Sequence, residues 1–283
     1  MKSKRNPISV QIMQVLFKWL GVIWPWLAAS LAYRIWFKTP RYPVSNRELK
    51  WLELAKHDFT VIDGRKISVM RWGACSPGYI LLIHGWSGRG SQLGRFVNSI
   101  NSKGLGVISF DAPGHGQSDG KSTNAYQIAS VINELIKQYG MPRAIIAHSF
   151  GGISAALAIR EHSLSVPCLV TISCPTDPYY LVDGFRTYLN LNDKVMNIFN
   201  QKLYRKFSAT IYDDISADKN LAQTSVKLLV VHDKKDSIVS WRQSEKLHAA
   251  VTGSTTLYTS GLGHSRILRD KDVIEQVLKF ILS

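Results

Sequence analysis

The chain has 283 residues, 45% of them hydrophobic, enough to bury one large core within a single domain. Its three cysteines, Cys75, Cys168 and Cys174, are odd in number and lack metal-ligand spacing, which argues against a metal site and suits core packing in a reducing compartment. The formal net charge is +15, but no nucleic-acid-binding module accompanies it, so nucleic acid is not an expected partner.

The first fifty residues carry +8 of that charge, with Glu48 as their one acidic side chain. Residues 8–37 are strongly apolar and hold Trp19, Trp24, Trp26 and Trp36, half of the tryptophans. From Trp19 to Tyr33 no side chain is charged, but these fifteen positions fall short of the roughly 20 that span a bilayer, and Pro25 interrupts them. Gln11, Gln14 and Lys18 share one helical face, the pattern of a helix lying in a membrane interface. Basic charge beside an apolar run points to an anionic membrane surface bound through residues 1–40. Two other readings stay open: a helix packed on the following domain near the entrance to its binding site, and a cleavable signal peptide, against which Lys18 argues. The expected location is cytoplasmic, peripheral or anchored at the membrane. Lys38–Pro43 reads as a connector because its two prolines stop a helix, which divides the chain into a segment 1–49 and a domain 50–283.

Within that domain, 59–63 and 67–72 flank Gly64-Arg65-Lys66 and read as an antiparallel hairpin. Strands are expected near 79–84, 106–110, 143–148, 168–173, 227–232 and 254–259. Helices are expected near 91–103, 123–139, 150–162, 240–251 and 271–282. Such alternation predicts a mostly parallel sheet with helices on both faces. The long interval 175–225 instead carries aromatic and aliphatic residues at helical spacing, which predicts a small helical cap.

Chemistry concentrates at strand ends. Ala147-His148-Ser149-Phe150-Gly151 follows the apolar run Ala144-Ile145-Ile146 and opens a small-residue segment suited to a helix, the setting in which a sharp turn exposes a serine Oγ. Downstream, Asp236 and then His264 each follow a strand-like run. His84-Gly85-Trp86 follows Tyr79–Ile83, and Asp111-Ala112-Pro113-Gly114-His115-Gly116-Gln117-Ser118 follows another strand. These four landmarks, in this order, resemble the α/β-hydrolase family from about Phe59 to the C-terminus, with Ala147 where the commonest pattern has glycine.

The resemblance implies an α/β-hydrolase fold with an eight-stranded, mostly parallel sheet and a helical cap. It implies Ser149 as nucleophile, His264 as base and Asp236 as the acid, with Asp177 and Asp233 as competitors for the last role. The backbone N–H groups of Phe150 and Trp86 would form the oxyanion hole. His84, His115 and His148 read as structural. Tyr179, Tyr180, Phe185 and Tyr188 are candidate substrate-binding residues on an apolar cap underside facing Ser149. No cofactor or metal is implied. The expected activity is hydrolysis of a carboxylic ester, small or lipid-derived. The alternatives are an acyltransferase, thioesterase or carbon–carbon bond hydrolase using the same residues, and a catalytically idle, membrane-attached binding module.

Overall fold

The computed structural model describes residues 7–75 and 78–283. Eight strands form one sheet: β1 Lys56–Ile62, β2 Arg65–Trp72, β3 Tyr79–Ile83, β4 Gly106–Phe110, β5 Ala144–His148, β6 Cys168–Ile172, β7 Lys227–Asp233 and β8 Thr255–Thr259. The helices, in chain order, are α1 Ile8–Ile23, α2 Pro25–Phe37, α3 Asn46–Glu53, α4 Arg95–Asn101, α5 Ala125–Tyr139, α6 Phe150–Glu161 and α7 Pro178–Leu189. They continue with α8 Asp193–Lys206, α9 Ile211–Asp214, α10 Ala217–Leu221, α11 Arg242–Ala250, α12 Gly263–Arg266 and α13 Lys271–Leu282. The chain divides into two compact units, one of residues 39–176 and 215–283, the other of residues 1–38 and 177–214.

The larger unit contains the sheet, in the order β1-β2-β4-β3-β5-β6-β7-β8. Strands β1, β2 and β4 pair antiparallel, and the remaining pairs are parallel. Every residue of β3, β4, β5 and β6 is buried, which explains why these strands read as continuous apolar runs without alternation. Ile80, Leu82, Ile146 and Val170 join Phe96, Ile100, Val273 and Val277 in one core cluster, so α4 and α13 cover that face. On the opposite face, α6 contacts β5, α5 and α10. Helix α6 is buried from Gly151 to Ile159, and its glycines and alanines let it press close to the strands. Burial pushes the Cys168 thiol up to about 11, which keeps it an inert core side chain.

In the smaller unit, α2 packs on α8 and α1 on α7. Ala28, Ala29 and Ala32 are fully buried, and Trp36 meets Phe185 and Phe199 edge-on at 4.9 and 5.8 Å between ring centroids. The N-terminal helices thus share a core with the insertion 177–214. Pro25 begins α2 at its first position, where a missing N–H costs nothing, and this separates α1 from α2 at Trp24. Helix α1 has 16 residues, about 24 Å of length. Among the described residues no helix is long and apolar enough to cross a membrane.

The side chains of α1 divide into an inward set and an outward set. Gln14 turns inward, and its amide donates to the Tyr188 carbonyl at 3.0 Å, while Val10, Phe17 and Gly21 are buried. The exposed face is apolar: Ile8, Ile12, Val15, Leu16, Trp19, Val22 and Ile23 are each at least 55% exposed, at spacings that place them along one side.

Candidate active site

Ser149 joins β5 to α6 with φ 52° and ψ −125°, a region that a side-chain-bearing residue occupies at a cost of about 1–3 kcal/mol. Tight packing holds it there. The Ser149 N–H donates to the Ile172 carbonyl on β6 at 2.9 Å, and its own carbonyl accepts from Gly152 at 2.9 Å. A Cβ on Gly151 would lie 2.6 Å from the His84 carbonyl and 3.0 Å from the Ile83 carbonyl. The small residue after the serine is therefore required by the end of β3, not only by crowding between β5 and α6.

The loop after β3 runs past this turn, since a Cβ on Gly85 would come within 2.9 Å of the Ser149 Cβ. Trp86 and Phe150 touch edge-on, with ring centroids 5.0 Å apart. Among the described residues, neither the Trp86 nor the Phe150 backbone N–H has a hydrogen-bond acceptor. Two histidines and a glutamine set the course of the loop. His84 donates from Nδ1 to the Gly85 carbonyl at 2.7 Å and accepts at Nε2 from the Ala112 N–H at 3.0 Å. His115 accepts from the Ser87 N–H at 3.0 Å and donates to the Pro113 carbonyl at 3.1 Å. Gln92 accepts from the Gly85 N–H at 3.2 Å. Asp111 is buried, and its two oxygens accept from the Gly90 and Gln117 N–H groups at 2.8 Å each, so it organises this loop region.

His264 lies on α12, and its Nδ1 donates to the Asp236 Oδ2 at 2.7 Å; the Asp236 side chain has no exposed surface and that of His264 is 15% exposed. With its proton on Nδ1, the imidazole presents a lone pair at Nε2, as a base must. His148, next to Ser149 in the chain, donates from Nε2 to the His264 carbonyl at 3.0 Å. That bond fastens the histidine's backbone to the strand carrying the serine. Burial acts to raise the Asp236 pKa, but hydrogen bonds from His232, His264 and the Val239 and Ile238 N–H groups outweigh it and hold the carboxyl well below the usual range.

The competing aspartates are placed otherwise. Asp233 accepts from Lys235, Gly261 and Leu262 N–H groups and from the Thr259 hydroxyl. Burial is again overcome by these donors, which bring its carboxyl down to about 2. It ties β7 to the loop that carries His264. Asp177 caps α7 in the smaller unit, accepting from the Tyr179 N–H at 2.9 Å. In that unit Tyr179 and Tyr188 are exposed, the Tyr179 ring meets that of Tyr212 at a tilt with centroids 4.8 Å apart, and Tyr180 is half-buried. Phe185 is half-buried against Trp36 and Phe199.

One residue of this arrangement was not visible in the sequence. His232, on β7, is fully buried; its Nε2–H faces the Val239 carbonyl at 3.0 Å and the Asp236 Oδ2 at 3.3 Å, and Ser244 bonds its Nδ1. It precedes Asp236 by four positions in an apolar strand, where a histidine has no motif to mark it.

Burial, the first cause in each case, pushes His84 down to about 4 and His115 and His148 down to about 3. Unfolded histidine takes its proton near 6.5. Between pH 6.5 and 4 the unfolded chain therefore binds up to three more protons at these sites than the folded chain, and stability falls as pH falls. The expected loss approaches ~1.4 kcal/mol per pH unit for each histidine once pH is well inside that window. The help from Asp233 and Asp236, whose folded values are depressed, is lost only below about pH 4. Urea midpoints between pH 7.5 and 4.5 should decline steadily; a flat profile would contradict neutral, buried imidazoles.

A family model for the alpha/beta hydrolase fold matches residues 78–218, and the chain belongs to the α/β-hydrolase fold family. No match was found among curated proteins. The chain is similar to a membrane phospholipase A that is a bacterial virulence factor, with TM-score 0.63 and 16% identity over 96% of this chain and 97% of that one. It is similar to an esterase from Exiguobacterium antarcticum, with TM-score 0.63 and 19% identity over 81% and 100% of the two chains. A meta-cleavage product hydrolase from Pseudomonas fluorescens gives TM-score 0.61 and 17% identity over 82% and 98%. Such likenesses define the fold, which serves several reactions, so the substrate has to be argued from the site.

Proposed function

We propose that the protein is a serine hydrolase that cleaves carboxylic esters through an acyl-enzyme on Ser149. The Ser149 Oγ attacks the ester carbonyl while His264 takes its proton at Nε2 and then delivers it to the leaving alcohol. Water repeats the sequence on the acyl-enzyme, releasing the acid and restoring the serine. Asp236 stays ionised and stabilises the imidazolium, and the Trp86 and Phe150 N–H groups receive the developing oxyanion. The observation that carries the reading is the 2.7 Å bond from His264 to the buried Asp236 carboxylate, on a histidine whose carbonyl is bonded to the residue preceding Ser149. The test is a hydrolysis screen across acyl lengths and head groups with Ser149→Ala as the blank. Free acid as the product in the presence of competing alcohols and thiols separates a hydrolase from an acyltransferase.

The substrate we propose is an ester of lipid origin, met at an anionic membrane surface. The support is the exposed apolar face of α1, where Trp19, Val22 and Ile23 lie beside Trp24 and Trp26, all at least 59% exposed. An apolar strip of this extent is unusual on a soluble monomer, and tryptophan suits the depth of lipid headgroups. Because helices α1 and α2 pack with α7 and α8, substitution tests the idea better than truncation. The triple variant Ile12→Ser, Trp19→Ser, Val22→Ser should keep hydrolysis of small soluble esters and lose at least tenfold in sedimentation with phosphatidylglycerol vesicles. Unchanged sedimentation would remove the membrane part of the proposal. Tyr179, Tyr180, Phe185 and Tyr188 belong to the same proposal as selectors of acyl length, read from the ratio of kcat/KM for short and long esters in their alanine variants.

A further inference from the structure

A groove of about 400 Å³ lies in the larger unit between α3, the turn Gly90–Leu93, the start of α4 and the turn Ile267–Arg269. Arg47, Arg95 and Arg269 line it together with Gln92 and Ser265. Among the described residues these three arginines have no ion-pair partner. The groove's acidic lining residue, Glu48, is already engaged, accepting from the Ser45 and Ser91 hydroxyls at 2.8 and 3.0 Å and pairing with Arg89 at 3.6 Å. A second groove, of about 630 Å³, adjoins the first through Trp51, Arg95 and Arg269 and adds Lys103, Lys271 and Lys279 against Glu275. Positive charge therefore converges on a concave surface and exceeds the negative charge there.

We propose that the groove of Arg47, Arg95 and Arg269 binds a phosphate-type oxyanion, free or carried by a lipid headgroup. Like charges gathered around a cavity repel one another, and an anion seated among them relieves that repulsion while offering oxygens to planar guanidinium forks. The effect of the crowding is visible at Arg269: burial, then the fields of Arg47, Arg95 and Arg266, act to lower its pKa, against a smaller opposing effect of Glu48. The amide nitrogen of Gln92 has no acceptor among the described residues, which leaves a neutral donor among the lining residues. The groove is separate from the reacting atoms, but it shares parts with their scaffold. Gln92 holds the Gly85 N–H, and Ser265 follows His264 on α12.

The site does not depend on Ser149 being a nucleophile, so its test uses binding. Full-length protein is titrated calorimetrically with inorganic phosphate, and full-length Ser149→Ala protein with monomeric dihexanoyl phosphatidic acid, in chloride buffer of constant ionic strength. Saturable binding of one equivalent is expected with at least one of the two ligands. Binding of both points to the phosphate group as the whole determinant, and binding of the lipid alone to a headgroup site. The double variant Arg95→Gln, Arg269→Gln should weaken binding at least tenfold. Lys56→Gln, Lys121→Gln, which removes the same charge from exposed positions of the same unit, should bind as the parent does. No saturable binding of either ligand, or equal weakening in both double variants, would overturn the proposal.

Discussion

Ser149→Ala and His264→Ala are each expected to lower ester hydrolysis by about 10⁴-fold or more, with both proteins folded and the double variant no worse than either single one. Nucleophile and base act as one unit, so the second loss adds nothing to the first. The fold should tolerate the serine change. Ser149 is placed by backbone bonds to Ile172 and Gly152, which alanine retains, and the positive φ of 52° is no harder for alanine than for serine. His264→Ala removes the bond to Asp236 but keeps the carbonyl that accepts from His148. Initial rates on a short soluble ester, beside thermal midpoints, check both variants. Retention of more than a few per cent of parental turnover by Ser149→Ala would rule out the acyl-enzyme on this residue.

Asp236→Asn should lower kcat by about 10³–10⁴-fold while KM changes little. The reason lies in its two oxygens. Oδ1 accepts from the Ile238 and Val239 N–H groups, at 2.8 and 3.0 Å, and an asparagine oxygen can take over that role. Oδ2 faces two ring nitrogens, His264 Nδ1 and His232 Nε2, and there asparagine would present an NH2 group. His264 can meet that donor only by moving its own proton to Nε2, which removes the lone pair that would accept from Ser149. Asp233→Asn is the contrasting variant. It leaves the Asp236–His264 bond in place and disturbs three donors in the loop 259–262 and the Lys235 N–H after β7, so it should cost stability by about 1–3 kcal/mol and reduce kcat less. A large loss of kcat in Asp233→Asn with a near-silent Asp236→Asn would transfer the orienting role.

Most of the sheet was legible because its strands carry local signals. The buried runs of β3, β5 and β7 are continuous and apolar, and the hairpin turns at Asp63 and Gly64, both at positive φ. Strand β1 begins at Lys56, earlier than expected, because pairing extends to Arg71 and the Arg71–Asp58 ion pair adds a polar contact that an apolar count does not register. Helix α3 went unread although Ser45 and Glu48, three apart and bonded at 2.8 Å, mark its start. Ser149, Asp236 and His264 stand out as candidates in the sequence since each follows a strand in a short recognisable segment. His232, Gln92 and the inward turn of Gln14 do not. Their partners, Asp236, Gly85 and Tyr188, are set by the tertiary fold, and a helical wheel of α1 cannot say which face finds a neighbour.

The central claim is that Ser149 is an activated nucleophile, and labelling with a fluorophosphonate followed by intact mass and peptide mapping tests it most directly. The parent protein should gain one equivalent of probe on the peptide containing Ser149, rapidly at pH 8. His264→Ala should label far more slowly and Ser149→Ala not at all. A parent protein that stays unlabelled, or one that carries the probe on another residue, would contradict the account.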